Sequence, residues 1–295
     1  SIPSIHTHSW LDSLAYSRLQ AKSDRIINTV NRFHGDWEEA CYITLSRALG
    51  FGINNDAFER LATSLPLRFM RKHSDSLLAT EALLFGQAGL LNCIDRHDPY
   101  LVRLESEYRF LATKYSLQSP TNLLWKMARM RPANFPHRRI AFLASMMENG
   151  FNLMGRILEA DTEEKAHELF NIDMTGYWTT HYGFGGTGSG RILSSLSDAS
   201  VKILLINVVI PLQYAYGYYI GDDSLSHQAI QLLQQLPPEH NSIVSLFIKA
   251  GLKCHNAFES QAMIELRRTY CEQRKCLYCR FGHRLLSAKA HPESH

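Results

Sequence analysis

The sequence predicts an all-α protein, an irregular multi-helix bundle or superhelix with little or no sheet. Three observations carry that expectation. Apolar residues recur at helical spacing from end to end, no segment alternates apolar and polar residues between hairpin turns, and glycines or prolines punctuate the intervals. At 295 residues, 45% hydrophobic and 20% charged, the chain can bury the core of one large or two medium domains.

The first helix is expected over 9–33, stopping before Gly35. Behind it, Trp37, Cys41, Leu45 and Leu49 repeat every fourth residue, with Asp36 and Glu39 placed as a capping box requires. Helices over 56–65 and 75–91 follow. Leu101, Leu104, Tyr108, Leu111 and Tyr115 form one stripe, spaced alternately by three and four. Further helices are expected over 137–149, 151–160, 162–170, 197–220, 224–235, 239–251 and 256–274, with Gly50, Gly150 and Gly251 at stops. Pro237 and Pro238 precede one start, and Pro211 should end or kink its helix. The stretches 119–136 and 171–191 are the least structured. A division near Pro120 would give helical halves 1–119 and 120–295, unless the two are continuous. No fixed-period repeat is visible.

The apolar stretch 201–220 carries Lys202, Asn207, Pro211 and Gln213, which favours an interior helix over a bilayer span, so no membrane partner is expected. Six cysteines, three of them clustered, suit a reducing cytoplasmic compartment better than a secreted disulfide framework. The opening Ser1-Ile2-Pro3 has neither an initiator Met nor a signal pattern, and reads as an excerpt of a longer polypeptide.

The net charge of +3 is unevenly spread. Lys126, Arg129, Arg131, Arg138 and Arg139 stand in a run without acids, and the chain from Lys249 onward has a basic surplus of five, leaving the remainder at −7. Two concentrations of positive charge would form an anion-facing surface if they met. Arginine forks suit phosphate, Pro132 and Pro136 restrict the loop, and Trp125 and Phe135 offer stacking faces for unpaired bases. The competing reading is a solvated loop whose arginines pair with acids elsewhere and whose rings pack.

Cys271, Cys276 and Cys279 lie in the run Tyr-Cys-Glu-Gln-Arg-Lys-Cys-Leu-Tyr-Cys-Arg-Phe-Gly-His. A Cys-x2-Cys pair with a third cysteine five residues upstream supplies three ligands of a tetrahedral zinc site, with His283 or Cys254 as the fourth. Four thiolates including Cys254 would instead suit an iron–sulfur cluster. Such a zinc would be structural, and the alternative is reduced thiols packed at a helix end. Arg274, Lys275 and Arg280 flank this run. Gly183, Gly185 and Gly188 match a dinucleotide fingerprint by spacing alone, without the strand it needs, and a flexible connection anchored by Trp178, His181 and Tyr182 is the simpler expectation. Neither His97 beside Asp98 nor Glu38 and Glu39 beside Trp37 assembles a nucleophile, base and orienting group by spacing, so no catalytic constellation is visible.

Four ordered segments resemble a bacterial family, domain of unknown function 2851: Asn54 to Ala62, Glu81 to Gly89, Arg129 to Pro136, and the cysteine run from Tyr270 to Gly282. The resemblance implies that longer members carry an upstream segment similar to the acidic core of PD-(D/E)XK nucleases, which would be this chain's partner. No catalytic residue carries over onto the present chain. The leading expectation is therefore a helical module that binds DNA or RNA through Lys126, Arg129, Arg131, Arg138, Arg139, Arg274, Lys275 and Arg280 beside that segment. A protein-interaction scaffold and an enzyme acting on a small anionic metabolite are the alternatives.

Overall fold

The structure, a computed structural model, describes residues 4–91, 98–120, 123–148, 150–185 and 190–283. Every regular element among them is helical, as expected. The α-helices are α1 (Ser4–Arg32), α2 (Trp37–Leu49), α3 (Asn55–Ser64), α4 (Leu67–Arg71), α5 (Leu77–Gln87), α6 (Pro99–Tyr115) and α7 (Pro136–Met147). They continue as α8 (Leu153–Glu159), α9 (Glu163–Glu168), α10 (Asp198–Leu204), α11 (Ile210–Ile220), α12 (Asp223–Gln235), α13 (Ser242–Lys249) and α14 (Ala257–Leu266). Two compact units result: Ser1–Ile27 with Gln213–His295, and Asn28–Leu212. The division expected near Pro120 falls inside the second of these.

In the unit Asn28–Leu212, α2 is the central element, packing on α3, α4, α8 and α10. Its start follows the sequence signal halfway. Asp36 accepts from the Glu39 backbone N–H at 2.9 Å, as a capping residue should. Glu39 does not reach back to complete the box. Its carboxylate accepts from the Leu67 N–H at 3.0 and 3.2 Å, at the start of α4. Glu38 likewise accepts from the Met154 N–H at 3.1 Å, at the start of α8. The reason lies in those two short helices, whose own N-cap positions, Pro66 and Asn152, supply no side-chain acceptor. Helix starts leave N–H groups unsatisfied, and an acid there also meets the positive end of the helix dipole. Burial raises both glutamates above the ordinary carboxylate value, while the charge of Arg71 and then backbone hydrogen bonds pull Glu38 back, and the Leu67 N–H pulls Glu39 back.

Helices α5 and α6 approach closely because residue 86 is glycine. A Cβ there would lie 2.1 Å from the Tyr108 ring, and Tyr108 donates to Gln87 Oε1 at 3.1 Å beside it. The expected disturbance at Pro211 is real, but the helix does not stop there. Residues Leu205–Val209 form a π-turn between α10 and α11, with the Ile210 N–H bonded to the Leu205 carbonyl. Proline 211 has no N–H to offer Asn207 and would crowd its carbonyl, so the helix widens one turn earlier. The stretch Asp198–Ile220 is long and apolar enough to cross a bilayer, but 61% of its most apolar window is buried within the protein.

In the unit formed by Ser1–Ile27 and Gln213–His295, Val244, Met263 and Ile264 make a core with Ile243, Phe247, Leu252 and Cys254. Trp10 sits edge-on to Tyr270 at 5.6 Å and tilted against Phe281 at 5.2 Å, tying α1 to the residues after α14.

Replacing Glu39 by Ala leaves the buried Leu67 N–H without an acceptor and should cost ~1–3 kcal/mol in chemical denaturation. Glu39→Gln, which keeps an oxygen in place, should lose less than half of that. Equal losses for the two variants would show that the carboxylate acts by charge and not as an acceptor.

Candidate functional site

The basic stretch 126–139 splits into two sets with opposite fates. Arg138 and Arg139 are buried, a correction to their expected role on an anion-facing surface. Arg138 donates to the carbonyls of Trp178 and Leu193. Arg139 donates to Asn134 Oδ1 at 2.7 Å and Ser200 Oγ at 3.3 Å, with its guanidinium 4.3 Å above the Phe51 ring. Burial lowers the affinity of both guanidinium groups for the proton. Each bridges segments far apart in sequence, and the donors that would have held phosphate hold the chain instead. The stacking role expected of Trp125 is also removed. Its indole N–H donates to the Ala88 carbonyl at 2.8 Å, and its ring packs edge-on to Phe58 at 5.0 Å.

Lys126, Arg129 and Arg131 are exposed. Their loop is nonetheless fixed, because the Asn54 amide both accepts from the Lys126 N–H and donates to the Lys126 carbonyl, each at 2.9 Å. Among the described residues none of these three cations makes a side-chain ion pair.

The cysteine run forms a tight turn after α14. The chain passes through a π-turn, Arg267–Cys271, then a short 3-10 turn, Cys276–Tyr278. A Cβ at Gly282 would lie 2.3 Å from the Cys276 carbonyl oxygen, so only glycine lets the chain fold back here. The Gly282 N–H points at Cys279 Sγ, 3.5 Å away, and Cys279 is buried while Cys276 and His283 are exposed. Burial raises the Cys271 thiol, and neighbouring Cys279 and Cys276 add to the shift. Among the described residues no group of three or more His, Cys, Asp or Glu side chains is gathered to hold a metal ion. What the turn does present is chemistry of another kind. Tyr278 is 81% exposed and Leu277 70%, between exposed Arg274, Lys275 and Arg280. Among the described residues these three cations also have no side-chain ion pair, whereas Arg267 nearby pairs with Glu272 at 3.4 Å.

A third cluster escaped the sequence reading. Glu81 is fully buried in α5, and among the described residues it has no cationic partner. It accepts from Tyr100 Oη at 2.5 Å and from Trp178 Nε1 at 2.9 Å. Burial pushes its carboxyl up to about 7 against the pull of those two donors. Tyr177 stacks on Tyr100 at 4.7 Å and donates to Asp98 Oδ2 at 2.5 Å. Asp98 also caps α6 through the Tyr100 and Leu101 N–H groups and accepts from the Gly185 N–H at 3.3 Å. Burial alone would raise Asp98, but the hydrogen bonds from Tyr177 and Gly185 outweigh it and hold the carboxylate low. The start of the glycine-rich stretch is therefore pinned to α6, while Gly188 lies outside the described residues, as does His97. Phe184 lies against Phe85, Trp178 and His137. His137 is lowered to about 4 by burial, and among the described residues its Nδ1 has no hydrogen-bond partner. The available signal was a lone acid in the apolar run Leu77 to Phe85.

Among known proteins, the profile of a family described as a protein of unknown function, DUF2851, matches residues 1–242. The match ends before the cysteine turn. No curated protein and no solved structure matches the chain.

Glu81 and His137 set opposite pH dependences. A carboxyl raised from 4.5 to about 7 on folding binds its proton more tightly in the native state, so its contribution falls as pH rises through that window. A histidine lowered from 6.5 to about 4 contributes stability that is lost as pH falls through its own window. The two slopes oppose one another where the windows overlap. Glu81→Gln, with its oxygen towards Trp178 and its amine towards Tyr100, should remove the first slope and raise stability at pH 8 by ~2–3 kcal/mol. His137→Phe should remove the second. Denaturation midpoints of both variants from pH 4 to 8 that parallel the parent protein would refute this assignment.

Proposed function

The chain belongs to the DUF2851 family, and from the side chains it exposes we propose that it is a nucleic-acid-binding helical module that grips single strands. One observation supports the reading above all: an exposed aromatic ring, Tyr278, stands between Arg274, Lys275 and Arg280 on a turn stiffened by Gly282. Single-stranded nucleic acid is held by that combination, a π-face for the base and cations for the backbone. An exposed tyrosine flanked by cations gains little for the stability of its own unit, so its arrangement is better accounted for by a ligand. Lys126, Arg129 and Arg131 are a separate set of exposed cations in the unit Asn28–Leu212, of the kind that contacts phosphate. The strand-cutting chemistry would belong to an upstream segment, carried by longer members of the family, that resembles the acidic core of PD-(D/E)XK nucleases. A zinc ion on Cys271, Cys276, Cys279 and His283 would stiffen the same turn, provided that exposed Cys276 and His283 swing inward. Equimolar zinc retained through gel filtration is the measurement that decides this.

Fluorescence anisotropy with labelled single- and double-stranded oligonucleotides tests the proposal directly. Three phosphate contacts at the turn should weaken single-strand binding about 20-fold between roughly 50 and 200 mM salt. Tyr278→Ala should cost ~1–3 kcal/mol of affinity with no change in melting temperature. Binding that ignores both salt and Tyr278 would remove the reason for the assignment.

A further inference from the structure

Helices α1 and α14 bring together a charged cluster that the nucleic-acid reading does not use. Arg18 and Lys22, one turn apart on α1, both donate to a single acceptor, the Gln261 Oε1 of α14. Arg18 Nε and Lys22 Nζ each lie 2.7 Å from that oxygen. Gln261 is itself buried, and its amide N–H donates to Glu239. Arg18 also faces Glu265 at 3.5 Å, a long and weak contact, and Arg268 lies within electrostatic reach of both Arg18 and Lys22. Among the described residues, the charged groups that act on Lys22 include Arg18 on its own helix, Glu265 on α14, Arg268 just beyond it, and Glu239 ahead of it.

We propose that Lys22 is an imine-forming lysine, the centre of a covalent binding site for a small 2-oxo acid. One geometric fact and one electrostatic consequence of it drive the inference. A shared amide oxygen forces the lysine nitrogen and an arginine fork against one another, and a cation beside a partly buried lysine disfavours the charged amine. With Lys22 neutral, Arg18 and Arg268 balance Glu239 and Glu265. With Lys22 charged, the cluster has one positive charge too many. Burial, then Arg18, brings the amine down to about 7, so that near neutral pH about half of it carries a free electron pair. Donation of one N–H to Gln261 leaves that pair directed away from the amide.

The chemistry balances without a further reagent. The Lys22 nitrogen attacks the ketone carbon, the resulting carbinolamine takes up one proton from solvent, and the carbon–oxygen bond breaks to release water. The product is a cationic iminium, which faces Glu239 and Glu265, while the carboxylate of the 2-oxo acid faces Arg18 and Arg268. Each charge of the adduct meets its opposite. Arginine is the side chain suited to the carboxylate because its fork presents paired donors.

The experiment treats the whole chain with glyoxylate and sodium borohydride at pH 7, then locates the reduced adduct by peptide mass spectrometry. Lys22 should be modified about tenfold or more faster than exposed Lys126, because an ordinary lysine is almost entirely protonated at that pH. Its rate should rise with pH to a plateau just above neutrality. Arg268→Gln, at an exposed position, should reduce labelling by glyoxylate more than labelling by uncharged acetaldehyde. Lys22 modified no faster than Lys126 would overturn the site, and equal loss with both carbonyl reagents would overturn its preference for an acid. Because every measurement is made on a folded chain at a named lysine, neither result depends on whether nucleic acid binds.

Discussion

A helix cannot start inside a protein unless its first N–H groups find acceptors, and in the unit Asn28–Leu212 that requirement is met from a neighbouring helix. Helices α4 and α8 are too short to be stable alone and have no capping side chain of their own. Both take their acceptor from α2, whose adjacent acids Glu38 and Glu39 point to different partners. One turn of α2 therefore sets the positions of two other helices, and the buried apolar face of the same helix packs against its neighbours. Arg71 of α4 donates to the Phe151 carbonyl at 2.7 Å and lies 3.6 Å from Glu38, so the two capped helices are also joined to each other.

The distribution of cations follows from the same accounting of backbone groups. Segments outside the long helices have carbonyls to satisfy, and Arg138 satisfies two of them at once, from Trp178 and Leu193. An arginine used in this way is a structural crosslink, and its charge is withdrawn from solvent. Arg129 and Arg131 lie in the same basic run and remain exposed, because the loop carrying them is held through Asn54 and Trp125 instead. Counting basic residues along the chain cannot separate these two uses. The separation depends on which side of the Pro136 boundary a residue lies, where α7 begins and its whole length is buried.

The Glu81 cluster shows a buried acid that, among the described residues, is held by neutral donors. A phenol and an indole supply hydrogen bonds but no countercharge, which explains why the carboxyl holds its proton to about 7. The price is tension between a neutral and a charged acid in the working pH range. Around it the rings of Phe85, Trp178, Tyr177 and Phe184 fix where the glycine-rich segment begins.

The amino-acid sequence alone determined the helical class and the place of nearly every long helix, because an apolar stripe or an apolar run of helical length, with a polar, glycine or proline boundary, acts locally. Asp36, Ser76, Asp98, Asp222, Asn241 and Asn256 all cap the helices that follow them. Family membership was legible in its motifs for the same reason. The five-residue α4 carried no such stripe and was invisible. Tertiary structure alone decided what the polar side chains do: that Glu39 caps α4 and not its own helix, that Arg138 and Arg139 face inward while Tyr278 faces out, and that Lys22 meets Arg18 at Gln261. Those outcomes depend on partners dozens to hundreds of residues away, whose proximity is set by packing and leaves no periodic trace in the chain.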